Sequence, residues 1–98
     1  MTYAMKDGLP YVTMVPNETD AWSRDWTSEL EDGDAIATSV WEVPDGLTAG
    51  VSSKSGVYTT QWVTTSGLGE FTLVNQITTT PAGRTLRRSL IVAVIESK

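Results

Sequence analysis

Along most of this chain, apolar residues alternate with polar ones at the two-residue period of half-buried strands, interrupted about every 8–12 residues by turn-forming clusters. Tyr11 to Val15 predicts a short edge strand closed by Pro16-Asn17, because proline ends a strand but does not sit within a sheet. Glu31-Asp32-Gly33-Asp34 is a turn by composition. Ala35 to Val43 predicts a strand ended by Pro44-Asp45-Gly46. On it, Ile36, Thr38 and Val40 point one way while Ala37, Ser39, Trp41 and Val43 point the other. Large apolar groups on both faces predict a bulge or a covered outer face. Residues 49–56 read as a flexible loop or weak edge strand, Val57 to Thr64 as a strand, and Ser66 to Gly69 as a turn. Phe71, Leu73 and Ile77 share one face of the next strand, with polar Asn75 between them. Thr80-Pro81-Ala82-Gly83 turns the chain into the last and longest strand, Arg87 to Glu96.

Two segments resist this period. Trp22, Trp26 and Leu30 recur every four residues, which suits one helical face and equally one strand face; the segment is read as extended. Leu90 to Ile95 is apolar throughout. Leu90, Val92 and Val94 are expected to fill the core, leaving Ile91, Ala93 and Ile95 facing outward beside Arg87 and Arg88. An exposed flat apolar strand is an aggregation hazard, so either the N-terminal segment or another chain is expected to cover it.

Six or seven short strands predict an all-β antiparallel sandwich, and fifteen threonines favour strands over helices. Ninety-eight residues make one domain. Residues 1–9 read as a mobile arm; the division is an arm with a possible edge strand over 1–19 and a sandwich over 20–98. Cysteine and histidine are absent, which removes thiolate chemistry, the usual general base and the commonest metal ligands. No catalytic, cofactor or metal site is therefore expected. The acids at 29–34 lack the ordered spacing of a calcium loop, and no serine has an evident activating base. No apolar run reaches a membrane span and no signal-peptide core is visible, so a soluble, unexported chain is expected. A net charge of −5 argues against nucleic acid. Acids concentrate in residues 17–34 and arginines in 84–88, which reads either as two solvated segments or as complementary patches that orient neighbours. Of the four tryptophans, Trp41 and Trp62 are expected to pack within the sandwich. Trp22 and Trp26 are balanced between packing and partner contact.

One spaced pattern carries a resemblance. Asp25-Trp26, Leu30, Gly33-Asp34, Ile36, Ser39, Trp41, Val43-Pro44 and Gly46-Leu47-Thr48 are answered by Ile77-Thr78-Thr79, Gly83-Arg84, Arg88-Ser89 and the run from Leu90 to Ile95. Over about residues 20–96 this resembles the fibre–tail adaptors of tailed phages, small virion proteins with an immunoglobulin-like sandwich. The resemblance implies a non-enzymatic virion protein, made in the host cytoplasm, that attaches a tail fibre or tailspike to the tail or baseplate. Its implied partners are those proteins and copies of itself, and its fold determinants are Asp25, Gly33, Asp34, Trp41, Pro44, Gly46, Gly83 and Arg84. The departure lies in Lys6-Asp7-Gly8-Leu9-Pro10, a loose echo of the family's entry segment. A capsid decoration protein and a glycan- or host-surface-binding module are the alternatives. The residues proposed for partner contact are Trp22, Trp26, Arg87, Arg88, Ile91, Ala93 and Ile95.

Overall fold

The computed structural model describes residues 3–6 and 9–96. Those residues form eight strands: β1 (Tyr3–Lys6), β2 (Leu9–Met14), β3 (Thr19–Asp25), β4 (Ala35–Glu42), β5 (Leu47–Ser55), β6 (Tyr58–Thr65), β7 (Gly69–Thr80) and β8 (Thr85–Val94). Sheet A runs β1-β2-β8-β7-β4 and sheet B runs β3-β6-β5. The sandwich departs from the wholly antiparallel one expected: β2 pairs with β8 in parallel, and every other pairing is antiparallel. The architecture is an all-β sandwich, and β7, with twelve residues, is longer than the last strand.

Part of the expected arm therefore forms β1, while Met1, Asp7 and Gly8 lie outside the described residues. The expected first edge strand is interior: β2 lies between β1 and β8 and sends Val12 and Met14 into the core. Residues 49–56 belong mostly to β5, an edge strand of sheet B.

The core has two parts. Val12, Met14, Trp22, Leu47, Val63, Leu73, Leu90, Val92 and Val94 form the larger, with Trp41, Val43 and Phe71 packed against it. Trp26, Ile36 and Ile77 form the smaller, flanked by Leu30 and Leu86. Strand β7 serves both, Leu73 on one side of Asn75 and Ile77 on the other. In β4 the register shifts between Ile36 and Thr38, so Ile36 faces the core before the bulge and Trp41 and Val43 face it afterwards. That bulge resolves the two-faced apolar pattern of the strand. Gly46, at φ 102°, closes the turn into β5; a Cβ there would stand 2.3 Å from the Phe71 ring, which leaves room for glycine alone.

Candidate functional site

The segment after β3 is built around Trp26. Asp25 accepts hydrogen bonds from the Thr27 amide, at 2.9 Å, and the Thr27 hydroxyl, bending the chain at the end of the strand. The Trp26 carbonyl then accepts the amides of Glu29 and Leu30 at 3.0 and 3.1 Å. The ambiguous segment is thus a strand through Asp25 followed by a tight turn, and the turn delivers the Trp26 ring to the core.

There the Trp26 Nε1 donates to Thr59 Oγ1 of β6 and to Asn75 Oδ1 of β7, both at 3.0 Å. The Thr59 hydroxyl in turn donates to Asn75 Oδ1, and Asn75 Nδ2 donates to Ser39 Oγ and the Val40 carbonyl of β4, each at 3.0 Å. Trp26, Thr59 and Asn75 are fully buried, so this network joins the two sheets where water does not compete. The polar residue amid the apolar positions of β7 is its hub.

Two guanidiniums lie over the Trp26 ring, Arg24 at 4.9 Å and Arg88 at 5.8 Å from its centroid. Both face Glu29, with Arg24 Nη2 at 3.0 Å and Arg88 Nε at 3.5 Å from Oε1. Arg84 donates to the Glu29 carbonyl at 3.1 Å and pairs with Glu31 at 3.6 Å. Asp34 accepts the Ala82 amide at 3.2 Å. The 26–34 segment is clipped to the β7–β8 end of the molecule at four points. Burial pushes the Glu29 carboxyl up, but the Ser28 hydrogen bond and the charges of Arg24 and Arg88 outweigh it and hold the group below its ordinary value of 4.5. A carboxyl depressed by folding contributes stability above its unfolded pKa and loses it as pH falls through the folded value. Between pH 7 and pH 3 the wild type should therefore lose more melting temperature than Glu29→Gln, with the two curves converging at the acid end. Parallel curves would show that Glu29 is not coupled to folding.

Beside this cluster a cavity of about 230 Å³ opens between the sheets, lined by Arg24, Arg88, Ser89, Asn75, Trp41 and Leu90, with Pro10, Ser23 and Asp25 completing the wall.

Several expectations change here. Trp22 and Trp26 are 3% and 0% exposed, so packing and not partner contact claims both. Trp62, expected to pack in the core or between strands, stands 45% exposed on the outer face of sheet B, because Thr59, Gln61, Val63 and Thr65 take the inner face of β6. Ile91 and Ala93 are buried as well, because β2 lies alongside β8 and places Tyr11 and Thr13 next to them. Ile95, at 36%, remains exposed. The charged segments meet within the chain: Arg84 and Arg88 pair with Glu31 and Glu29, and Arg87 pairs with Glu42. Sequence reasoning left two features unassigned, the cavity and the outer face of sheet B; its signal for the first was Asn75, buried beside two arginine-bearing strands.

The fold and this arrangement define a small β-sandwich domain whose acids and arginines hold its own loop in place. The chain belongs to the family of the podophage GP4 fiber-tail adaptor protein gp77, whose profile matches residues 14–93. No curated protein matches the chain.

Proposed function

We propose that this chain acts in the virion tail as the adaptor that attaches a tail fibre or tailspike to the tail or baseplate, and that it meets its partner through the outer face of sheet B. Family membership favours this reading over a head decoration protein. The observation that carries the choice of surface is Trp62, whose large ring is left 45% exposed in a domain that buries Trp22 and Trp26. Tyr58, on the same face of β6, and Val51, at the β5 edge, are 51% and 73% exposed. Around them the face is polar: Thr19 bonds Thr64 and Ser23 bonds Thr60, hydroxyl to hydroxyl, each at 2.8 Å. Aromatic anchors within a polar surround are the composition of an interface core and rim.

Trp62→Ser combined with Val51→Asp should leave the fold of the isolated domain intact, since surface substitutions change stability by about ±0.5 kcal/mol. Its affinity for the purified tail or fibre partner should fall by about thirtyfold, the equivalent of one hot spot of about 2 kcal/mol. Wild-type binding and normal incorporation into particles would remove this face from the interface.

A further inference from the structure

The cavity between the sheets gathers the guanidiniums of Arg24 and Arg88 and the Trp41 indole beside the Asp25 carboxylate. Each guanidinium carries five N–H donors. Among the described residues Arg24 uses Nη2 on Glu29, while Arg88 uses Nη1 on the Arg87 carbonyl at 2.7 Å and approaches Glu29 only loosely through Nε, at 3.5 Å. A good charge-assisted bond is about 2.7–2.9 Å long, so Arg88 is under-used. Two further N–H groups on lining side chains, Arg24 Nε and Trp41 Nε1, are buried and lack an acceptor among the described residues. An unsatisfied buried donor is destabilising, and an acceptor that reaches it recovers that cost. The two acids nearby do not fill the need. Asp25 Oδ1 is engaged by Thr27, and Glu29 Oε1 is already shared between Arg24 and Arg88.

We propose that this cavity is a receptor for a carboxylate, and that its occupant is an aspartate or glutamate side chain of the partner protein. Arg24 and Arg88 supply the charge, their planes steadied by the Trp26 ring beneath them. Trp41 and Asn75 form the polar lining, Leu90 supplies an apolar wall, and Pro10 and β3 border the opening. The volume, about 230 Å³, is several times the ~30 Å³ share of one water and admits a carboxylate with its methylene stem. The choice of a protein side chain over a free anion rests on the adaptor reading, whereas the carboxylate chemistry of the cavity does not.

The test is a titration of the isolated domain followed by the four indole N–H resonances in a ¹H–¹⁵N spectrum, with Trp41 assigned by its loss in Trp41→Phe. The probes are sodium acetate, N-acetyl-aspartyl amide and, as the neutral isostere, N-acetyl-asparaginyl amide, all at constant ionic strength. The expected result is a saturable downfield shift of the Trp41 resonance with both carboxylates. The aspartyl compound should bind at least as tightly as acetate, and the asparaginyl compound at least tenfold more weakly. Arg24→Gln and Arg88→Gln should each weaken the response at least tenfold while the other backbone peaks keep their dispersion, and Arg88→Lys should restore part of it. No saturable shift, an equal response to the asparaginyl compound, or indifference to both arginine substitutions would overturn the site. Binding of acetate without binding of the aspartyl compound would overturn the side-chain occupant. If the carboxylates bind but Arg24→Gln domains still enter particles normally, the cavity stands as a carboxylate site and its use by the virion partner is refuted.

Discussion

Trp26→Ala should be among the most damaging single substitutions in this domain, removing about 3–5 kcal/mol of stability. The ring is fully buried, packs with Ile36 and Ile77, donates to Thr59 and Asn75, and lies beneath two guanidiniums. A small domain has only about 5–15 kcal/mol in total, so thermal or urea unfolding should show a domain near its limit. A loss below about 1 kcal/mol would mean that the ring's contacts are replaced on relaxation.

Asn75→Ala should cost about 3 kcal/mol, although it deletes few apolar atoms. It leaves the Thr59 hydroxyl without an acceptor and the Val40 carbonyl without its Asn75 donor, while Trp26 Nε1 keeps only Thr59, and each unsatisfied group costs about 1–3 kcal/mol. The Tm should fall by roughly 4–8 °C per kcal/mol in a domain of this length. Because the two residues share a hydrogen bond, the double variant should be less damaging than the sum of the singles, by about 0.5–3 kcal/mol. Strict additivity would show that Asn75 and Trp26 act independently.

Where local pattern decides structure, the sequence was readable. The alternation of Leu90, Val92 and Val94 marked the core face of β8, and the two-faced apolar pattern of β4 pointed to a bulge or a covered outer face, of which the bulge is present. What escaped detection depends on contacts distant in sequence. On β6, hydrophobicity favours Tyr58 and Trp62 as the inward residues, yet Thr59 and Gln61 are buried instead. Gln61 earns that position by donating to the Gly50 carbonyl at 3.0 Å, within the irregular stretch of β5, and to the Trp62 carbonyl at 2.7 Å. The burial of Ile91 and Ala93 depends on a partner eighty residues earlier in the chain, Tyr11 opposite Ile91 and Thr13 opposite Ala93. Charge counting located the acids and the arginines but not their pairing, because only the folded chain brings Glu29 beside both Arg24 and Arg88.

The parallel pairing of β2 with β8 also sets how the domain bears a pull. Tension entering on the N-terminal side of Leu9 and leaving on the C-terminal side of Val94 first peels the antiparallel β1 away, one bond at a time. It then meets two strands that run the same way and are drawn in opposite directions along a common axis. The evenly spaced bonds of a parallel ladder share such a load all at once, in shear, over the register from Tyr11 and Ile91 to Met14 and Val94. Val12, Met14, Val92 and Val94 sit beneath that ladder in the core, so it cannot slide without dragging buried side chains past one another. A pull along the line from Leu9 to Val94 is thereby met by the whole β2–β8 ladder together and not bond by bond.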